Sequence, residues 1–309
     1  MAARDPLFCF NLYPYDRLLE LDELLRVMRA GEASGFDVAT FADHLMPPPE
    51  SHEALLNQSW WDLPALCSFL AAHTRRVRFY MNVLVLPYHP PVQLAKSLAT
   101  LDRVSNGRLI VGVGTGWYEE EFERLGLRFA QRGDITDEYA RAMIELWTAE
   151  RPRFRGRYVS FEDVSFYPKP VQKPHPPLLI GGTGPRPFRR AAEIGAGWVP
   201  MQGTHEEIAG QFREIQSLAR ELGRDADSLW LGAGIALGAG SEGERAAEHI
   251  RGRAAPVVPR DTTETIAQIR RLIALGVNLI SVGFTWSTPA DYAAQLERFG
   301  REVIASVRP

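Results

Sequence analysis

Short apolar segments alternate with amphipathic ones along the whole chain, and this alternation restricts the choice of fold more than any single motif does. The predicted strands cover residues 7–12, 36–42, 77–86, 108–113, 178–180, 197–200, 229–237 and 278–284. Segments with helical spacing lie between most of them, and no long polar linker divides the sequence into two halves. The pattern therefore predicts an α/β fold, one (β/α)₈ TIM barrel over residues 1–309, rather than a doubly wound open sheet.

Three irregular segments interrupt the alternation and are predicted to be insertions in this barrel. They lie near residues 47–61, 150–175 and 238–260, and the second contains a predicted small hairpin or extended insertion at 157–166. Loops of this kind carry specificity in barrel enzymes, so we expect them to determine the substrate. Their sequences do not identify it.

Composition excludes several classes of partner. The 309 residues carry a net charge of −3, which gives no basic surface of the kind that binds nucleic acid or anionic membranes. Cys9 and Cys67 are too few for a disulfide framework and fit a reducing compartment. Neither a signal peptide nor an apolar run of membrane-spanning length is recognisable. We therefore expect a cytoplasmic protein that acts on a small molecule.

The sequence also argues against two common barrel chemistries. Its seven histidines include no His-x-His pair and no His-Glu-x-x-His motif, so no metal site is predicted. Lys96, Lys169 and Lys173 are the only lysines, and none lies at the end of a predicted strand to form a Schiff base. An organic cofactor is the remaining expectation.

Four motifs follow predicted strands directly and are candidates for the site. They are Asp43-His44, the glycine-rich stretch from Gly114 to Trp117, Gly181 to Gly184, and Met201 to Gly203. In a barrel the carboxyl ends of all strands meet at one rim, where active sites are built. Each glycine-rich stretch is either a backbone cradle for a ligand or only a tight turn, and the one beginning at Gly181 is a candidate anion site.

The side chains near these turns allow more than one interpretation. His44 beside Asp43 is either an oriented imidazole for proton transfer or part of a structural pair that caps the loop. Trp117 forms either a wall for a planar ring or packing at the rim. The acidic run from Glu119 to Glu121 is predicted to be a solvated first helical turn. Trp60-Trp61 is predicted to line a wall or a subunit contact.

Several longer motifs resemble one enzyme family. They are Gly-Phe-Asp with Phe-Ala-Asp-His within 35–44, Val-Leu-Val-Leu-Pro-Tyr at 83–88, Gly-Arg-Leu-Ile-Val-Gly-Val-Gly-Thr-Gly-Trp at 107–117, Tyr-Pro-Lys-Pro-Val-Gln-Lys-Pro at 167–174, and Gly-Ala-Gly-Trp-Val-Pro at 195–200. On these motifs the chain resembles the luciferase-like family of flavin and deazaflavin enzymes, in the branch that uses coenzyme F420. The similarity runs over nearly the whole chain.

The resemblance implies a homodimeric barrel that holds a tricyclic ring across its rim. It also implies a cis peptide bond between Asn82 and Val83. The residues it places around the cofactor are Asp43, His44, Asn82, Val83, Gly114, Thr115, Gly116, Trp117, Gly181, Gly182, Thr183, Gly184, Met201, Gln202 and Gly203. Some F420-dependent members carry a glutamate proton donor at the position of Trp117. That acid role has no counterpart here, which leaves His44 as the candidate catalytic residue.

The activity implied is transfer of a hydride between C5 of F420 and a small organic substrate. Neither the substrate nor the direction of transfer follows from the sequence. A second interpretation, on the same scaffold, is a monooxygenase that uses reduced FMN and O₂. A third is a barrel that binds a flavin-like ligand without catalysis.

Overall fold

A closed barrel of eight parallel strands forms the centre of the protein, in a computed structural model that describes residues 5–47, 59–237 and 261–308. The strands, in chain order with a small hairpin included, are β1 Leu7–Asn11, β2 Val38–Phe41, β3 Arg78–Val85, β4 Leu109–Gly114, β5 Phe154–Arg155, β6 Ser160–Phe161, β7 Leu178–Gly181, β8 Gly197–Val199, β9 Trp230–Leu237 and β10 Leu279–Phe284. Around the barrel they follow the order β1, β10, β9, β8, β7, β4, β3, β2. The TIM-barrel prediction is confirmed.

Helices cover the outside of the barrel. They are α1 Leu21–Ala33, α2 Leu63–His73, α3 Pro91–Val104, α4 Glu119–Arg124, α5 Arg132–Thr148, α6 Pro185–Ile194, α7 His205–Glu221, α8 Thr262–Ala274 and α9 Pro289–Phe299. The main hydrophobic core lies between this layer and the outward side chains of the strands. Because both faces of each strand are buried, the strand sequences are nearly continuous runs of apolar residues. Within the described residues, none of the helices is long and apolar enough to cross a membrane.

A second, smaller cluster fills the inside of the barrel. Its buried members are Cys9, Val38, Tyr80, Ile110, Leu179 and Leu279. Arg78 lies over the ring of Trp230, 5.7 Å from its centroid, where both strands begin. The interior is therefore closed by side chains towards the amino ends of the strands, as a packed barrel core requires.

Two elements differ from the prediction in their boundaries. The hairpin pairs residues 154–155 with 160–161, and so begins before the predicted 157. The sequence pattern predicts one closing helix from Pro289 to Ser306, but the observed helix changes at Gly300 into a π-turn that ends at Ile304. A Cβ on Gly300 would lie 2.3 Å from the carbonyl oxygen of Ser34, so α1 and the end of α9 approach each other closely there. Residues 238–260 lie outside the described residues.

Candidate active site

All four strand-end motifs lie at the same end of the barrel. Every barrel pairing is parallel, so the residues that follow β2, β4, β7 and β8 surround one mouth. The predicted convergence of these motifs is confirmed. Which of their atoms contact a ligand stays a prediction.

One wall of the mouth is formed where β3 departs from regular pairing. The peptide bond between Asn82 and Val83 is cis, as the resemblance implied, and the register with β4 shifts between Met81 and Leu84. The Val83 side chain lies against Gly112, Gly114 and Gly181. A Cβ on Gly114 would be 2.3 Å from Cγ2 of Val83, so only glycine allows this approach. At this wall the apolar Val83 side chain therefore lies against glycines that carry no side chain, an arrangement that suits a planar ring.

The turn after β7 has the backbone conformation that the sequence suggested. Gly182 and Gly184 have φ values of +99° and +120°, a region that side chains with a Cβ rarely adopt. The helix that follows begins with Pro185 and has a second proline at 187, and neither residue carries an N–H. Donors for an anion would therefore come mainly from the turn itself rather than from the helix.

Strand β8 is tied to the turn after β7, and its own following turn is partly exposed. Trp198 donates its indole N–H to the carbonyl oxygen of Gly182 over 2.7 Å. Met201 is 44% exposed and Gln202 is also exposed, so both side chains are accessible from the mouth's side of the barrel. Thr204 then caps α7 with a reciprocal hydrogen-bond pair to Glu207, which fixes where the turn ends.

His44 is held by a buried carboxylate that lies 77 residues away in the chain. Its Nδ1 is 2.6 Å from Oε2 of Glu121, whose side chain is completely buried. The same oxygen accepts a hydrogen bond from the Tyr88 hydroxyl at 3.1 Å. The other oxygen accepts the backbone N–H groups of Leu45 and Met46 at 2.6 and 2.9 Å. Every group around this carboxylate is thus a donor or, for the imidazole, able to be one.

The predicted solvated role is wrong for Glu121. Glu119 and Glu120 are exposed as expected, but α4 turns by about 100° per residue, which brings Glu121 and Phe122 to the buried side. Burial alone would raise the pKa of Glu121. The hydrogen bonds and charge from His44, with those from the backbone at Met46 and Leu45, outweigh it and lower the pKa.

Asp43 does not orient His44, which corrects the prediction of a paired acid and imidazole. Its Oδ2 lies 2.8 Å from Nε2 of His89 and accepts the backbone N–H of Val85 at 2.9 Å. Burial lowers the pKa of His89. The hydrogen bond and charge of Asp43 raise this pKa by more than burial lowers it, so the net shift is upward. Two neighbours in sequence therefore bind different partners, and the loop after β2 is fastened to the loops after β3 and β4.

Aromatic rings surround the His44 imidazole. Trp60 lies 4.6 Å and Trp117 6.3 Å from it between ring centroids. Trp117 is 40% exposed at the mouth, which agrees with a wall for a planar ligand and also with packing at the rim. Trp60 also packs edge-on against Tyr15, so this tryptophan belongs to the wall of the mouth.

Between β2 and α2, backbone N–H groups on both sides of residues 48–58 are held by carboxylates. Glu121 holds the N–H groups of Leu45 and Met46 at one side. At the other, Oδ1 of Asp16 accepts the N–H of Ser59 at 2.6 Å. Two carboxylates from other parts of the chain thus hold Leu45, Met46 and Ser59, which lie on either side of residues 48–58.

The residues present fit a flat heterocycle with a phosphorylated tail. β4 and β7 end at Gly114 and Gly181, so beside Val83 these two strand ends carry no bulky side chain. Below them, the hydroxyl of Tyr80 is buried inside the barrel and has no hydrogen-bond partner within the described residues. The fit rests on shape and on backbone donors, because none of the fifteen predicted cofactor residues is a lysine or an arginine. Sequence reasoning missed Tyr88, His89 and Glu121, whose partners are distant in the chain and carry no local signal.

Comparison with known proteins agrees with the barrel fold. The model of the luciferase-like monooxygenase family matches residues 10–306. An uncharacterized protein of Mycobacterium tuberculosis strain H37Rv is 37% identical over 156 residues, which cover 50% of this chain and 55% of that one. The FMNH(2)-dependent dimethylsulfone monooxygenase of Pseudomonas putida is 33% identical over 158 residues, covering 50% of this chain and 43% of that one. The matches thus span about half the length of these relatives.

Among solved structures, an F420-dependent secondary alcohol dehydrogenase in complex with an F420–acetone adduct superimposes with a TM-score of 0.80. It is 21% identical, and the alignment covers 99% of this chain and all of that one. This similarity concerns the fold. Since the family model spans nearly the whole chain, the protein belongs to the luciferase-like monooxygenase family of oxidoreductases.

Proposed function

We propose that this chain transfers a hydride between coenzyme F420 and a small organic substrate, with His44 as the group that moves the accompanying proton. The observation that carries the proposal is the buried pair of His44 and Glu121 at the mouth. Reduction of a carbonyl adds a hydride to carbon and a proton to oxygen, and the reverse reaction removes both. An imidazole whose ordinary pKa is near neutrality can exchange that proton.

Bound F420 would donate or accept the hydride at C5 of its ring. In the proposal, Asp43, His44, Asn82 and Val83 hold the ring together with residues 114–117. The turns at 181–184 and 201–203 hold the phosphate side through backbone N–H groups. The chain's own contribution is to bind and orient both reactants, to exclude water, and to hold a proton at His44.

A second candidate is a monooxygenase that uses reduced FMN and O₂. The dimethylsulfone monooxygenase, 33% identical over half of this chain, supports it. We favour F420 because hydride transfer to or from an alcohol needs a proton-transfer group of the kind that His44 supplies. The resemblance also leads us to propose a homodimer, which sedimentation of the purified protein would test.

Titration of the purified protein with each cofactor separates the two candidates. Fluorescence of F420 and of FMN reports binding directly. Saturable binding of F420, followed by substrate-dependent bleaching or recovery of its absorbance, is the expected result. Tight binding of FMN alone, with oxygen uptake on reduction, would overturn the F420 proposal in favour of the monooxygenase. Binding without turnover across a panel of alcohols and carbonyls would favour a non-catalytic barrel.

A further inference from the structure

We propose that Glu121 is a positioning residue that keeps the proton of neutral His44 on Nδ1, so that Nε2 is the nitrogen that exchanges protons with the substrate. The inference rests on the proposed role of His44. It starts from the 2.6 Å contact between Nδ1 and Oε2 of a completely buried side chain. No group within the described residues forms a hydrogen bond with Nε2.

The hydrogen bonds of the carboxylate determine the tautomer. The Tyr88 hydroxyl and the N–H groups of Leu45 and Met46 all donate to Glu121. An ionised carboxylate only accepts, so the fourth neighbour, Nδ1 of His44, must donate as well. The lowered pKa of Glu121 agrees with an ionised group. With the proton fixed on Nδ1, the lone pair of the neutral ring is on Nε2.

The position of Glu121 in the fold also links His44 to the turn after β4. Glu121 comes from α4, directly after the glycine-rich end of β4, whereas His44 comes from the end of β2. The carboxylate therefore couples the orientation of the imidazole to the turn that carries Trp117, 6.3 Å from the His44 ring. Carboxylate–imidazole pairs play this orienting role in hydrolases, where the acid holds the tautomer and is not itself protonated.

Glu121→Gln tests the tautomer with an isosteric side chain. The N–H groups of Leu45 and Met46 can only donate, so the amide oxygen must face them and the amide NH₂ must face His44. Nδ1 then has to accept, and the neutral ring has to carry its proton on Nε2. We expect turnover with F420 to fall by about 10²-fold or more, since a general acid–base contributes roughly 10²–10⁴-fold. The affinity for F420 should change by less than about threefold.

The NMR signals of the ring nitrogens report the tautomer of His44 independently of enzyme activity. Two-bond ¹H–¹⁵N correlation spectra of the labelled, cofactor-free protein distinguish a protonated ring nitrogen from an unprotonated one, and the spectrum of His44→Ala assigns the His44 signals. Glu120→Gln is the matched control, because it makes the same change at the exposed neighbour in α4. Tyr88→Phe removes one donor to the same oxygen and leaves the carboxylate, so it should keep the wild-type tautomer.

The outcomes separate this inference from the proposed function. The positioning role is supported if the ring proton moves from Nδ1 to Nε2 in Glu121→Gln but not in Glu120→Gln or Tyr88→Phe, and if turnover is lost in Glu121→Gln. An unchanged tautomer in that variant, or an Nε2-protonated neutral ring in the wild type, overturns it. The wild-type spectrum decides even if the variant does not fold. Full turnover by His44→Ala would instead overturn the role of His44, and that result is recognised without any reference to Glu121.

Discussion

At the scale of single residues, proton transfer depends on one ring nitrogen of His44. Glu121 occupies Nδ1, and the remaining nitrogen has no protein partner within the described residues. Trp60 and Trp117 flank the ring, so a substrate that reaches it is bounded by aromatic surfaces. Removal of the imidazole should therefore affect the reaction more than it affects binding of the cofactor.

We predict that His44→Ala lowers kcat by about 10²–10⁴-fold and weakens F420 binding by less than about fivefold. Steady-state kinetics and fluorescence titration measure the two quantities. His73→Ala, at an exposed histidine in α2, should leave both unchanged. Equal losses of turnover and affinity in His44→Ala would contradict a role in proton transfer.

The pair of Asp43 and His89 should make stability depend on pH. The folded-state pKa of His89 is raised above its ordinary value of 6.5, because Asp43 favours the charged imidazole more than burial opposes it. Such a group contributes stability below its unfolded pKa, and the contribution is lost as the pH rises through the folded pKa. Asp62 is the other acidic group that acts on His89 in this direction.

Accordingly, His89→Gln should cost more unfolding free energy at about pH 6 than at about pH 9. Urea unfolding of the wild type and the variant across this range measures the difference. A difference that stayed constant, or grew towards high pH, would show that the imidazole is not charged in the folded protein.

At the scale of elements, β3 and β4 pack so closely that one position tolerates no side chain. A Cβ on Gly112 would lie 2.1 Å from the backbone carbonyl oxygen of Met81, which cannot rotate away. We predict that Gly112→Ala lowers the free energy of unfolding by about 1–3 kcal/mol through overpacking. Chemical unfolding monitored by circular dichroism measures it.

Gly210→Ala provides a control of opposite sign. This glycine lies inside α7, and its added Cβ would meet only the Arg213 guanidinium at 3.8 Å. Alanine in a helix interior should raise the free energy of unfolding by about 0.5–1 kcal/mol. If both glycine variants shifted stability in the same direction, packing between β3 and β4 would not be the cause.

The short helix α4 shows why the site was only partly predictable. The glycine-rich turns and His44 follow buried strands directly, so the barrel prediction placed them at one mouth. Glu121 belongs to an acidic run, and six helical residues are too few to reveal a buried face by periodicity. His89 lies 46 residues from Asp43, and nothing local to either residue identifies the other. Contacts between strand ends appear only once the barrel is closed.

At the scale of the whole molecule, the end of the barrel opposite the mouth is fastened by a residue near the carboxyl terminus. Arg308 donates to the carbonyl oxygen of Gly35 over 2.9 Å and forms an ion pair with Asp37. Asp37 also accepts the N–H of Phe8 at 2.8 Å. Arg308 follows the last helical turn, Ala305–Val307, so these contacts join that turn to the starts of the first two strands.

Arg308→Ala should lower the free energy of unfolding by about 1–2 kcal/mol, a modest value because the pair is partly exposed. The affinity for F420 should not change, since the contacts lie at the far end of the barrel. Arg301→Ala, at an exposed position in the π-turn, should change neither quantity. Loss of cofactor affinity in Arg308→Ala would show that the two ends of the barrel are coupled.

The barrel as a whole was predictable because its strands are apolar on both faces and its helices on one. Each of the eight predicted strands agrees with an observed one to within two residues at either end. The interruption at Gly300 was not predictable, because it depends on how closely α9 approaches Ser34 across space. Periodicity therefore identifies the elements, and packing between distant elements decides how they end.

The two carboxylates that hold the chain on either side of residues 48–58 have a practical consequence for redesign. Glu121 accepts hydrogen bonds from the backbone N–H groups of Leu45 and Met46, and Asp16 accepts one from that of Ser59. A redesign that changes residues 48–58 can therefore keep the residues on both sides, and the carboxylates that hold them, native. Such variants would test our expectation that this segment determines the substrate, because His44, Glu121 and the glycine-rich turns keep their native sequence.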